Sequence, residues 1–336
     1  MSAVSHEARL ARARERLDAL RQQIQRRIVG HHDLVNGILA SLLSSGHVLL
    51  EGVPGLGKTL LVRTLSDALS LEFARIQFTP DLMPADIIGT QMVLQDDDGR
   101  RHFRFQPGPV FTQLLLADEI NRATPKTQSA LLEAMEEKRV TVGRTAHALQ
   151  EPFMVLATQN PIEMEGTYPL PEAQLDRFQL KLNAEFPDAG ELSQIVDRTT
   201  GSSMPAVEAV LSAAEVMELR ELVRAAVIAD HVKDYAIRLV LATHPAAAEA
   251  TPRVRRFVRH GASPRGLLGM VLTAKALALF AGRIHVSFDD LARAAAPALR
   301  HRILLNFEGE AEAVDVEDLI AEVIRETPAV KGAARA

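Results

Sequence analysis

Gly52-Val53-Pro54-Gly55-Leu56-Gly57-Lys58-Thr59 is the stretch on which the reading of this chain turns. Its three glycines let the backbone wrap an anion with amide groups, the Lys58 ammonium can reach outer phosphates, and the Thr59 hydroxyl can ligate magnesium. Such a loop needs a strand before it and a helix after it. The run over residues 46–51, with Val48-Leu49-Leu50 at its centre, supplies the first, and a helical pattern over residues 60–69 supplies the second. The loop therefore predicts binding of ATP.

Further short apolar runs follow at residues 73–78, 113–117, 153–158 and 178–182, each separated by helical or polar sequence. Strands alternating with helices predict a parallel α/β sheet. Two insertions break the rhythm: residues 79–111, and 139–145, whose alternation around Gly143 predicts a β-hairpin. After residue 190 convincing strands give way to helices, two of them opened by capping boxes, Ser212 with Glu215 and Ser287 with Asp290. Leu10, Leu17, Leu20, Ile24 and Ile28 form one stripe at helical spacing near the N-terminus. The expected organisation is an amphipathic helix over 1–27, an α/β nucleotide-binding domain over 28–189, a smaller helical lid over 190–330, and a disordered tail over 331–336.

The second chemical element is Leu114-Leu115-Leu116-Ala117-Asp118-Glu119, an apolar strand ending in two acids. Alone, such a pair reads as a solvated turn. Some 60 residues after a phosphate loop, the same strand should deliver Asp118 to the magnesium shell and leave Glu119 to orient and deprotonate the attacking water.

Composition narrows the alternatives. The 336 residues are 47% hydrophobic and 24% charged, the balance of a globular protein with a large core. Formal net charge is −5, so the whole molecule has no strong electrostatic claim on nucleic acid or anionic membrane. With no cysteine, disulfides, thiolate metal sites and cysteine nucleophiles are excluded. The N-terminus lacks the apolar core of a secretory signal, and the longest apolar stretch, residues 266–282, is broken by Lys275 and too short for a membrane span. The expectation is a cytoplasmic protein with that stretch as a buried helix.

Taken together, the residues resemble the AAA+ ATPases and, within them, the MoxR family. The most specific blocks are residues 52–59, Leu115-Leu-Ala-Asp-Glu-Ile-Asn-Arg-Ala123, Ala157-Thr-Gln-Asn-Pro-Ile162, residues 166–178 and Gly261-Ala-Ser-Pro-Arg-Gly266. The resemblance implies a nucleotide site completed between subunits of a homo-oligomeric ring, usually a hexamer. It implies that Asn160 is the polar sensor of the γ-phosphate and the water; on spacing alone Asn160 also suits a turn cap before Pro161. It gives Arg177 as the finger inserted into a neighbouring site, where local sequence would pair it with Asp176 or Glu172. It gives Arg265 as a second sensor closing on the phosphates of its own subunit, where local sequence reads a helix-start arginine after Pro264. The nucleotide-contacting set becomes Val29, Gly30, Gly52, Pro54, Gly55, Leu56, Gly57, Lys58, Thr59 and Leu60, with magnesium on Thr59 and Asp118. The two insertions resemble those of the branch that includes the magnesium-chelatase motor, where they lie near the ring pore or its surface.

Several features keep plainer readings. Arg253, Arg255, Arg256, Arg259 and His260 read as a solvated or subunit-facing segment rather than a nucleic-acid patch, His31 and His32 as surface residues, and Glu136-Glu137 as a helix end. No Asn-Lys-x-Asp motif marks a GTPase and no Leu-Ser-Gly-Gly signature marks a transporter. The leading expectation is a ring ATPase that remodels or activates partner proteins, among them ones with a von Willebrand factor A domain. The alternatives are a chelatase motor subunit and a nucleotide-gated scaffold that hardly hydrolyses ATP.

Overall fold

The computed structural model describes residues 3–53, 55–95, 101–160, 166–200 and 205–329. Pro54, residues 161–165 and the predicted tail lie outside them. The elements run α1 (Ala3–Arg27), α2 (His32–Leu43), β1 (Val48–Glu51), α3 (Lys58–Leu69), β2 (Phe73–Gln77), α4 (Pro84–Ile88), β3 (Gly89–Gln95), β4 (Arg101–Pro107) and β5 (Leu114–Asp118). Then come α5 (Pro125–Glu137), β6 (Arg139–Val142), β7 (Thr145–Ala148), β8 (Met154–Gln159), α6 (Glu172–Leu175) and β9 (Leu180–Asn183). The remainder is chiefly helical: α7 (Ala189–Thr199), α8 (Ala213–Ala225), α9 (Asp230–Leu241), α10 (Pro252–Phe257), β10 (Val258–His260), α11 (Pro264–Phe280), α12 (Phe288–Leu299), β11 (Leu304–Leu305), α13 (Phe307–Ala311) and α14 (Val316–Glu326).

Five strands form one sheet in the order β2-β5-β8-β1-β9, and every pairing within it is parallel. Side chains alternate across it, as a period of two requires. Leu50, Leu116, Leu156 and Leu182 point to a core shared with α1, α2, α3 and the later helices, whereas Leu49, Leu115, Val155 and Ala157 point to a core closed by α5. Burial on both faces explains why these strands read as unbroken apolar runs. The predicted hairpin around Gly143 is the antiparallel pair β6–β7. The 79–111 insertion, for which the sequence predicts no element, carries α4 and the antiparallel pair β3–β4, and the rings of Phe105 and His147 stack between the two pairs at 3.9 Å. Both predicted capping boxes are present. The N-terminal stripe buries Leu17, Leu20, Ile24 and Ile28. Residues 266–282 fall within and just beyond the largely buried α11, and among the described residues no helix is long and apolar enough to cross a membrane.

The parallel sheet has a chemical consequence: all strands end on one edge, where loops converge on a ligand. Its opposite edge is fixed by His47. The imidazole Nδ1 accepts from the Val155 amide (2.9 Å) and Nε2 donates to the Met135 carbonyl (3.1 Å), tying β1 and β8 to the last turn of α5. Burial lowers the His47 pKa from 6.5 to about 4, with Lys138 and Arg220 acting in the same direction and the Met135 bond opposing. The unfolded chain thus binds this proton first as pH falls, so the stabilisation is full above pH 6.5 and fades toward pH 4. Stability should fall there by about 1.4 kcal/mol per pH unit on this residue's account, about 3 kcal/mol in all. Urea midpoints against pH should show that slope reduced by one proton in His47→Gln. An unchanged slope would show that His47 is not the group responsible.

Candidate functional site

At the C-terminal edge of the sheet, Gly55, Leu56, Gly57, Lys58, Thr59 and Leu60 face Arg75, Gln77, Asp118, Glu119, Thr158 and Asn160 across a cavity of about 500 Å³. The strand order places the phosphate loop, the acidic pair and Asn160 in one wall because β1, β8 and β5 are consecutive neighbours. Gly55 and Gly57 have φ of +88° and +71°, and a Cβ on either would meet nothing within 4 Å. Both glycines line the cavity and leave open space beside the backbone, so an anion can approach it there. The Lys58 ammonium lies on the Gly52 carbonyl at 2.5 Å, and its pKa is lowered by burial against the raising effects of Asp118, Glu119 and Glu51.

The acidic pair is organised by β8 and β2. Thr158 donates its hydroxyl to Asp118 Oδ1 (2.6 Å) and accepts the Glu119 amide (2.8 Å). On the other side, Arg75 donates to Asp118 Oδ2 through Nη2 (2.7 Å) and Nε (3.2 Å). Glu119 takes a left-handed backbone (φ 56°, ψ 50°), uncommon for a residue with a side chain and a conformation that clusters at functional sites. Its Oε2 accepts from Gln77 Nε2 (2.7 Å) and from Arg122 (2.9 Å). Two adjacent carboxylates thus have separate partners and point to separate tasks. An ATP–magnesium complex fits this donor set: an open glycine cradle and a cation for phosphate, the Thr59 hydroxyl and the Asp118 carboxylate for the metal.

Sequence reasoning did not single out Arg75, Gln77, Arg122 or Thr158. Arg75 and Gln77 stand two apart on β2, hence on one face, and the parallel register sets Gln77 opposite Asp118. The alternation was present in the sequence; the register was not. Asn160, 6% exposed, lies on the cavity wall just beyond β8. Val29 and Gly30 lie at the α1–α2 junction and are not among the residues lining the cavity; Gly30 is backed by the Glu191 carboxylate. Among the described residues no cluster of three metal-ligating side chains occurs, and His32 bonds Gln25.

Arg177 and Arg265 lie elsewhere. Arg177 precedes β9, beside His47, whose carbonyl accepts the Gln179 amide at 2.9 Å. From His47 to Gly52 the chain runs roughly 16 Å along the strand at ~3.3 Å per residue, so Arg177 is on the edge opposite its own phosphate loop. It pairs with neither Asp176 nor Glu172, which bind Arg302 (2.7 Å) and Arg259 (2.8 Å). Its partner is Glu136, at 3.1 Å. Arg265 corrects the expectation of a sensor closing on its own subunit: it bonds the same Glu136 and does not line the phosphate-loop cavity. The cause is the packing of α11, whose Gly269 lies against the Gln179 carbonyl, so that the helix start is docked at the N-terminal edge of the sheet. Among the arginines ahead of α11, Arg253 pairs with Glu322 and Arg256 with Glu308 and Glu312.

Comparison with known proteins identifies the family. The family model described as ATPase family associated with various cellular activities (AAA) matches residues 47–180, and an AAA lid domain model matches residues 250–323. The chain is 44% identical over 303 residues to Chaperone MoxR1 of Mycobacterium tuberculosis, covering 90% of this chain and 79% of that protein. It is 32% identical over 295 residues to Protein MoxR of Paracoccus denitrificans, covering 83% and 86%. The crystal structure of a Cytophaga hutchinsonii protein superposes with a TM-score of 0.90 at 39% identity, covering 96% of this chain and 98% of that one. A phosphate loop, an acidic strand end and a lid in this order, with identity of this extent along nearly the whole chain, place the protein in the MoxR family of AAA+ ATPases.

Proposed function

We propose that this chain hydrolyses ATP in a homo-oligomeric ring, with each site built by two subunits, and uses the cycle to remodel or activate partner proteins. The observation that supports the reading is the placement of Arg177 and Arg265 on the sheet edge opposite their own phosphate loop, the edge from which a ring neighbour would present them to the next site. The loop amides and Lys58 orient the phosphates, and Asn160 and Glu119 hold the water, whose proton passes to Glu119. A magnesium ion held by Thr59 and Asp118 would neutralise phosphate charge. To receive the metal Asp118 must exchange Arg75, and to reach the water Glu119 must exchange Gln77 or Arg122. Arg177 and Arg265 of the adjoining subunit then stabilise the charge that develops as the phosphate bond breaks.

We take residues 28–189 as the nucleotide-binding domain and 190–330 as the lid; the two family models fall within those ranges. The chaperone name of the mycobacterial relative supports protein clients, and a hexamer, von Willebrand factor A clients and a cytoplasmic location belong to the same reading. The test is turnover against protein concentration. Activity per chain should rise steeply through the assembly midpoint found by sedimentation, whereas turnover independent of dilution would refute a shared site.

A further inference from the structure

Glu136, in the last turn of α5, receives both distal arginines. Its Oε2 lies 3.1 Å from Arg177 and its Oε1 2.5 Å from Arg265, so each carboxylate oxygen serves one guanidinium. The backbones beneath are tied as well. The Asp176 carboxylate accepts from Ser263, the residue before α11 (2.6 Å), and from Arg302 (2.7 Å). Arg302 also donates to the carbonyls of Phe178 (2.6 Å) and Gln179 (3.2 Å), pinning the segment that bears Arg177. The turn carrying Glu136 is anchored through the Met135 carbonyl to buried His47. Three segments distant in sequence thus converge rigidly on one carboxylate, which no motif predicts.

We propose that Glu136 is a positioning residue: its carboxylate spaces Arg177 and Arg265 and presents them as one two-pronged cation to the nucleotide of the next subunit. The inference rests on the shared-site reading above. Two guanidinium groups set side by side repel, and each long side chain has rotamer freedom to lose on binding. A carboxylate between them reduces both penalties before the partner arrives, which is the function of a preorganised electrostatic site. At 38% exposure the pairings are weak in the free subunit and strengthen when a neighbouring subunit excludes water.

Rings of Glu136→Gln should turn over ATP roughly 10- to 100-fold more slowly at saturating nucleotide, the scale of a misplaced rather than a missing group. Nucleotide affinity should stay within about twofold of wild type, and Glu136→Asp should restore part of the rate because the charge is kept. Subunit mixing assigns the side on which Glu136 acts. Glu136→Gln mixed with Glu119→Gln should regain turnover, because intact sites form between unlike subunits; Glu136→Gln mixed with Arg177→Ala should not. An unchanged rate, failure of Glu136→Gln to assemble, or recovery in the mixture with Arg177→Ala would each overturn the proposal. If Glu119→Gln with Arg177→Ala recovers but Glu119→Gln with Glu136→Gln does not, this inference alone falls. If neither mixture recovers, the shared-site reading falls.

Discussion

Alanine in place of Arg177 is expected to lower ATP turnover by about a thousandfold or more while leaving nucleotide affinity within about twofold, because a finger arginine contributes only as charge builds on the transferring phosphate. Loss of fold is not an available explanation. Arg177 keeps 32% of its side-chain exposure and pairs with the similarly exposed Glu136. Exposed pairs of this kind contribute under about 1 kcal/mol, so the thermal midpoint should move little. The measurements are single-turnover hydrolysis on assembled protein and equilibrium binding of a fluorescent ATP analogue. A loss confined to affinity, or a rate within tenfold of wild type, would remove Arg177 from the reaction.

Glu119→Gln should lower turnover by roughly 10²- to 10⁴-fold, the range for removing a general base, with nucleotide still bound. The substitution preserves the shape of the side chain, so the left-handed backbone at Glu119 is strained no more than before. Gln77 and Arg122 lose a charged acceptor at the surface, a small cost beside the lost base. Rapid-quench hydrolysis with binding measured in parallel separates the two effects. Residual turnover near wild type would mean that another group takes the proton of the water.

The five strands of the parallel sheet, the hairpin around Gly143 and the two capping boxes are legible because each is decided locally, by period, turn residues or three-residue spacing; β3–β4 and the short β10–β11 pair are not. The cavity wall was legible for the same reason: a phosphate loop must follow its strand, and Asp118 and Asn160 stand at or just beyond the ends of two others. What escaped was whatever depends on register or docking. Arg75 and Thr158 reach Asp118 only because β2 and β8 flank β5. Glu136 reads as a helix end until β9 and α11 are brought to it. The motif at residues 261–266 points to a lid arginine but does not encode where the lid packs, so it could not show that Arg265 meets Glu136 rather than the phosphate-loop cavity. Local pattern therefore gave the chemistry of each group, and tertiary packing decided which groups meet.

The central claim is that one nucleotide site is made by two chains, with Glu119 given by the first and Arg177 by the second. The most direct measurement is turnover of an equimolar mixture of Glu119→Gln and Arg177→Ala subunits, each nearly inactive alone, with ring assembly followed by sedimentation. The account predicts partial recovery, because some junctions in mixed rings join an intact Glu119 to an intact Arg177. Assembled mixed rings that stay as inactive as either parent would contradict it.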